Sequence, residues 1–334
     1  MLDFPQQCFA ALQIAKNTKL LFEKKDFNKI VFVGVGGSGI GGDIVKACLY
    51  SESPIPVMVL RQTILPAYVD SSSLVFISSY SGNTEETLNI YRQAKAKGAT
   101  VIALSSGGRL KELAAQDSVT LLAMPPNMVP RCTIGYLSLA PLCVLSKLGL
   151  IKETGPYINS LIRDLEDLRD NSLGPHLGPK ENGAKRVAKE LSGKLPVVYS
   201  ASPYFEVCSS RLRCQLNENA KVLALSNVMP ELMHNEIEGW RNSAKISKQA
   251  VAVLLRDKDL DKRLDKGMDL VKGLIAEEGC GVIEVWSRGE NLLNKIFSLI
   301  YTGDFISYYL AVLSGIDPAP IEKTVYLKQN LSGI

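Results

Sequence analysis

The chain has 334 residues, 46% of them hydrophobic and 22% charged, so it can bury a sizeable core and disorder is excluded as its dominant state. Lys and Arg number 38 against 34 Asp and Glu, a net charge of only +4, with no basic run or Arg-rich tail. A nucleic acid, which selects a concentrated basic stripe, is therefore not an expected partner, whereas a local site for one phosphate fits.

In chain order, residues 5–24 read as an amphipathic helix. Lys29–Gly34 is a short apolar run ending in glycine, a buried strand. Ile40 to Tyr50 reads as a helix, and Pro56–Leu60 and Leu74–Ser78 as strands. A helix from Thr84 to Lys97 stops at Gly98; Thr100–Leu104 and Val119–Leu122 are further strands; Ile134–Leu148 reads as a helix without breakers. Residues 151–194 are polar and helical in pattern, broken by Gly174-Pro175-His176-Leu177-Gly178-Pro179. A second series follows, with strands at Pro196–Ser200, Lys221–Leu225, Ala250–Leu255 and Gly281–Trp286, and a long helix from Glu290 to Leu313.

Two such series predict an α/β protein of two doubly wound, mostly parallel-sheet subdomains in pseudo-symmetric arrangement. The expected division is 1–150 for the first, 151–194 for a helical connection, and 195–334 for the second. The longest apolar runs, Val251–Leu255 and Tyr308–Leu313, fall short of the ~20 residues of a spanning helix, so no membrane association is expected. The N-terminus, MLDFPQQCFAAL, has no basic region followed by an apolar stretch, so no secretory signal is expected. Seven cysteines without a C-x-x-C pair read as free buried thiols in a reducing cytoplasm. With only two histidines, His176 and His234, a multi-His metal centre is not expected, nor any cofactor.

Two turns carry chemistry. Gly34-Val-Gly36-Gly37-Ser38-Gly39 follows the first strand and opens a helix, as a turn does when its backbone approaches a ligand. A dinucleotide reading needs an acidic residue about 20 positions on. The next strand instead ends in Leu60-Arg61, which leaves an NADP-type site, simple strand–helix packing and a small-ligand site as alternatives. Ser78-Ser79-Tyr80-Ser81-Gly82-Asn83-Thr84-Glu85-Glu86-Thr87 follows the third strand. Asn83 and Glu86 have the spacing of a capping box. The unpaired N–H groups of the helix start, with the hydroxyls of Ser79, Ser81 and Thr84, suit a phosphate dianion, provided Glu85 and Glu86 point away from it.

The run Ser79–Thr87 resembles the phosphate loop of the sugar isomerase (SIS) fold. Together with Gly36–Asp43, Pro130-Arg131 and Glu231-Leu-Met-His234-Asn-Glu236, it resembles the prokaryotic bifunctional phosphoglucose/phosphomannose isomerase family. The resemblance implies a metal-independent aldose–ketose isomerase of carbohydrate metabolism, serving glycolysis and gluconeogenesis. It would act on glucose-6-phosphate, mannose-6-phosphate and fructose-6-phosphate through a cis-enediol(ate). Gly37, Ser38, Ser79, Tyr80, Ser81 and Thr84 would then bind substrate. Glu218 would shuttle the proton between C1 and C2, and Arg131 would stabilise the intermediate. His234 and Lys328 would serve ring opening, with Lys323 the alternative lysine. The resemblance further implies a homodimer in which His234 acts across the interface. A SIS-type sugar-phosphate-binding regulator is the alternative; it would keep the serine loop but have no need of Glu218, His234 and Arg131 together. An NADP-dependent oxidoreductase would need a nicotinamide site in the second half, where no motif for one is visible.

Overall fold

The computed structural model describes residues 1–23, 25–241 and 249–331. The chain divides into two units, residues 1–166 with 291–294, and residues 167–290 with 295–334.

The first unit contains α1 (Phe4–Asn17), β1 (Lys29–Val33), α2 (Gly37–Leu49), β2 (Val57–Leu60), β3 (Ser73–Ser78), α3 (Glu85–Ala96), β4 (Thr100–Ser105), α4 (Gly108–Gln116), β5 (Thr120–Ala123) and α5 (Ile134–Lys147). Its strands are all parallel, in the order β2-β1-β3-β4-β5. Every residue of β3 is buried, as is all of β1 after Lys29. Strands covered on both faces must be apolar throughout, which is why they read as unbroken hydrophobic runs. The chain runs from β1 outward to β2, then returns to place β3 on the other side of β1. A crevice therefore opens at the carboxyl ends of β1 and β3, the place where such sheets bind ligands.

The elements differ from the sequence reading at several points. The first helix ends at Asn17, because Thr18 turns extended and its hydroxyl donates back to the Ile14 carbonyl at 2.7 Å. The Leu21 N–H then goes to Thr120 Oγ1 at 2.8 Å, on the edge strand β5. Helix α4 escaped the pattern, yet parallel β4 and β5 require a crossover of this kind. Against the sequence reading, helix α5 is not free of breakers: it holds Pro141 in its interior. A proline there cannot donate to the Leu137 carbonyl one turn back. That carbonyl is the atom that Gly41 of α2 faces: a Cβ at Gly41 would lie 2.5 Å from it. A Cβ at Gly42 would lie 2.6 Å from Phe32 of β1. Two neighbouring glycines thus let α2 press against α5 and the sheet, and α2 starts three residues earlier than its apolar pattern suggests.

The second unit holds the end of α6 (Gly155–Leu168), α7 (Gly183–Leu191), β6 (Leu195–Ala201), α8 (Glu206–Asn219), β7 (Leu225–Met229), β8 (Ala250–Arg256), α9 (Lys262–Glu277), β9 (Gly281–Trp286), most of α10 (Leu292–Leu313) and α11 (Glu322–Leu331). Its sheet is parallel, in the order β7-β6-β8-β9. Strand β7 lies four residues beyond the run Lys221–Leu225 read as a strand. Residues 221–224 are consumed in leaving α8. Lys221 takes φ +56°, the Val222 N–H bonds the Leu216 carbonyl, and the Ala224 N–H bonds Asn217 Oδ1.

Contrary to the sequence reading, α10 is long and apolar enough by composition to cross a membrane. Most of it is buried, and its charges have partners within the unit. Asp304 accepts from Arg211 Nη2 at 2.7 Å and from Gln215 Nε2 at 2.9 Å, while Lys295 pairs with Asp257 and Asp259. It is the core helix of the second unit. The seven cysteines are free, but only Cys8, Cys143, Cys208 and Cys280 are buried; Cys48 and Cys214 are partly exposed and Cys132 is exposed.

Opposite outcomes are expected for two Gly→Ala changes in thermal denaturation. Gly41→Ala forces a methyl onto the Leu137 carbonyl and should cost about 1–3 kcal/mol, lowering Tm by several degrees. Gly273→Ala, inside α9 with nothing within 4 Å of the new methyl, should raise Tm slightly.

Candidate active site

In the first unit, the fork between β1 and β3 carries two loops. The turn after β1 is tight: a Cβ at Gly34 would lie 2.9 Å from Ser38, and one at Gly39 would lie 2.6 Å from the Gly34 carbonyl. Gly36 takes φ +59° and stands at the start of α2. Gly37 and half-buried Ser38 are the first two residues of that helix, where backbone N–H groups lack intrahelical partners.

The loop after β3 leads into α3. Ser79 is buried, and its hydroxyl donates to Thr84 Oγ1 at 2.9 Å. The Gly82 N–H returns to the Ser79 carbonyl at 3.0 Å, and the Asn83 N–H to Ser81 Oγ at 3.3 Å. Gly82 takes φ +73°, and a Cβ on it would run into the Gly107 carbonyl, so only glycine closes this turn. Asn83 does not cap its own helix: Thr84 is the N-cap, and Asn83 Oδ1 accepts the Arg109 N–H at 2.9 Å. The capping-box reading is thus corrected. Asn83 ties the serine loop to the start of α4. Ser81 is exposed and Thr84 half-buried; Glu85 and Glu86 are exposed in the first turn. The hydroxyls of Ser78 and Thr87, at the two ends of this segment, are buried without a hydrogen-bond partner. The sequence reading gave a role to neither, although both lie in the same hydroxyl-rich run.

Tyr80 is buried. Its hydroxyl donates to the Pro125 carbonyl at 2.7 Å and accepts the Met128 N–H at 2.8 Å. Its side chain therefore fastens the segment leading to Arg131. Arg131 lies in a 3₁₀ turn, Pro130–Cys132, and is only 7% exposed. This turn abuts the start of α2: a Cβ at Gly37 would lie 3.4 Å from the Pro130 carbonyl and 3.6 Å from Arg131 Cα. The first unit thus gathers two helix starts, a cluster of hydroxyls and the backbone of the Arg131 turn at one sheet edge, which is chemistry suited to an anion. Arg61, the basic residue that an NADP-type reading would enlist, is ion-paired with Asp43 of α2.

In the second unit, Glu218 stands half-buried in the last turn of α8, and its carbonyl accepts from Lys221 Nζ at 2.5 Å. His234 is exposed in a 3₁₀ turn, Glu231–His234, that follows β7. These residues lie at opposite edges of their sheet. Helix α8 runs back from the carboxyl edge, so Glu218 is near the amino end of β7, whereas His234 follows its carboxyl end. Five strand residues, about 16 Å at the usual rise, separate the two. Lys323 and Lys328 are both exposed on α11, none of whose residues is buried. His176 Nε2 lies 2.9 Å from the Asp170 carbonyl, away from every motif. Among the described residues, no three His, Cys, Asp or Glu side chains gather as a metal ion would require.

The SIS domain family matches residues 22–137, and the family described as bacterial phospho-glucose isomerase C-terminal SIS domain matches residues 180–331. A bifunctional phosphoglucose/phosphomannose isomerase from Caldicellulosiruptor bescii is 41% identical over 332 residues, spanning 99% of this chain and 98% of that one. A second, from Aquifex aeolicus, is 32% identical over 306 residues, 91% of each chain. Among solved structures, a hypothetical protein from Thermus thermophilus superposes with a TM-score of 0.73 over 99% of this chain and 90% of that one. At 14% identity, that likeness concerns the fold alone. Two parallel α/β units, matches to both SIS families and 41% identity along nearly the whole chain agree: this chain belongs to the bifunctional phosphoglucose/phosphomannose isomerase family.

Proposed function

We propose that the chain interconverts glucose-6-phosphate and mannose-6-phosphate with fructose-6-phosphate, without a metal, through a cis-enediolate. The observation that carries this reading is the sheet-edge cradle of the first unit, in which the Arg131 turn rests on the start of α2 beside the serine loop. Family membership supplies the substrate class. In the proposed division of labour, residues 1–150 hold the phosphate, residues 151–194 connect, and residues 195–334 bring the proton-transfer groups.

The chemistry has four requirements. The phosphate is held by the N–H groups opening α2 and α3 and by the hydroxyls of Ser38, Ser79, Ser81 and Thr84. Tyr80 contributes by fastening the 125–128 segment. The ring opens when His234 and Lys328 move protons at O5 and O1. Glu218 then takes the proton from C2 of the aldose and returns it to C1, giving the ketose. The negative charge that develops on oxygen meets Arg131, whose guanidinium cannot lose its proton. Glucose-6-phosphate and mannose-6-phosphate differ only in configuration at C2, which is trigonal in the enediolate. One base thus serves both epimers if C2 can present either face. A sugar-phosphate sensor would need the cradle and none of the rest.

The opposite placement of Glu218 and His234 on their own sheet supports a site shared between two copies, each giving one of these residues. We therefore propose a homodimer with His234 acting across the interface. Seven free thiols fit a reducing, cytoplasmic setting.

Three measurements test this. Glu218→Gln should lower kcat by roughly 10²–10⁴ with KM mostly kept; near-native turnover would remove Glu218 from the role of base. Activity on all three sugar phosphates should survive EDTA, and a chelated enzyme that zinc alone revives would overturn the metal-free scheme. Finally, severely impaired Glu218→Gln and His234→Ala protomers, mixed and shown by tagged pull-down to exchange, should recover up to about one quarter of wild-type activity. Each mixed dimer then has one site with both defects and one with neither. No recovery in verified mixed dimers would return both residues to one chain's site or exclude His234 from catalysis.

A further inference from the structure

The segment after β7 that carries His234 is anchored in the core by Leu232 and Trp240 and tied to the strands by the carboxylate of Glu236. Tyr199 of β6 and Asn227 of β7 are directly paired across the two strands. The Tyr199 hydroxyl donates to Glu236 Oε1 at 2.5 Å, and Asn227 Nδ2 donates to Glu236 Oε2 at 2.5 Å. Both oxygens of the carboxylate are thereby held by neighbouring strands. The Tyr199 hydroxyl in turn accepts from Trp240 Nε1 at 3.0 Å, with the two rings edge to face at 6.3 Å. Trp240 ends the second 3₁₀ turn of the same segment, Glu236–Trp240. The Asn227 amide cannot turn over at no cost, because its Oδ1 accepts the Val228 N–H at 2.8 Å. Asn235 completes the frame: its Oδ1 accepts the Glu236 N–H at 2.6 Å, and its Nδ2 donates to Glu231 at 2.8 Å.

His234 is thus an exposed residue enclosed between two fixed points, Glu231 through Asn235 on one side and Glu236 on the other. Tyr199 is fully buried, and burial followed by the nearby Glu236 carboxylate hold its phenol protonated, so it remains a donor. A partly buried carboxylate with two strand-borne donors is more than packing requires, since an apolar residue at position 236 would lie against the same sheet without needing them.

We propose that Glu236 is a positioning residue for the isomerase reaction: through the Tyr199–Trp240 and Asn227 bonds it fixes the turn that presents His234 to the substrate ring. This rests on the reading of His234 as the ring-opening group. The carboxylate is needed as a double acceptor. A glutamine accepts through one oxygen only, and its NH₂ would face either Asn227 Nδ2 or a Tyr199 oxygen already taken by Trp240.

The test is a double-mutant cycle in steady-state kinetics on the full-length enzyme, using Glu236→Gln, His234→Ala and their combination, with a thermal melt for each. Glu236→Gln should lower kcat by ~10-fold or more, leave KM within about 3-fold, and cost nothing further in the His234→Ala background, since it acts through that histidine. Tyr199→Phe, which keeps the ring against Trp240 and removes one donor, should reproduce the kcat loss, and it carries the test if Glu236→Gln does not fold. Native kcat in Glu236→Gln or Tyr199→Phe beside a crippled His234→Ala would overturn the positioning role and leave the proposed function standing. A further drop in the combined variant would overturn it too, by giving Glu236 a role of its own. Native turnover in His234→Ala would overturn the ring-opening assignment and the positioning role together.

Discussion

Parallel strands cannot be joined by tight turns; each pair needs a crossover, and that one constraint arranges the chemistry of both units. A helix that follows a parallel strand starts at the sheet's carboxyl edge and ends at the amino edge. In the first unit this brings the starts of α2 and α3 to the carboxyl ends of adjacent β1 and β3, with their unpaired N–H groups at one fork. In the second unit it puts the end of α8, with Glu218, at the edge opposite to the one His234 follows. The same rule that gathers these helix starts at one fork separates Glu218 from His234 within a chain.

Glycine sets how closely the cradle can be built. Gly41 admits α2 to the turn of α5 whose carbonyl Pro141 leaves without its usual donor, and Gly82 lets the serine loop touch Gly107. These are close approaches of backbone to backbone, where a single methyl group has no room. The loops are then locked by hydrogen bonds that leave the sheet altogether. Tyr80 reaches Pro125 and Met128, and Asn83 reaches α4. The side chains of Tyr80 and Asn83 thereby fasten the serine loop to the 125–128 segment and to the start of α4.

The second unit holds its charges differently. Arg211 and Asp304 are a buried pair with Gln215 bonded to the same carboxylate, and Arg256 is shared among Asp265, Asp269 and Glu284. A buried charge is tolerable only with such partners. The Arg211–Asp304 pair and the pairing of Lys295 with Asp257 and Asp259 allow α10, apolar enough on composition to be mistaken for a membrane helix, to carry both charges through a protein core.

By itself the sequence determined the alternation of strand and helix, the parallel character of both sheets and the position of the serine loop at a helix start. These depend on local pattern: unbroken apolar runs such as Leu74–Ser78, a glycine after a strand, hydroxyls before a helix. It missed what depends on specific hydrogen bonds, near or far along the chain. The strand read at Lys221–Leu225 is displaced to Leu225–Met229, because Lys221 takes a left-handed turn and the following residues bond back to α8, which no hydropathy pattern records. Asn83 reads as a cap for α3 and serves α4 instead, since the Arg109 N–H lies in a helix reached only after β4. Tyr80 and Glu236 lie in recognisable motifs and Tyr199 and Asn227 in none, but no motif shows which groups their side chains bond, 9 to 48 residues distant. Only the tertiary structure decides such pairings, because a side-chain hydrogen bond depends on distances of a few ångströms between groups that sequence spacing leaves undefined.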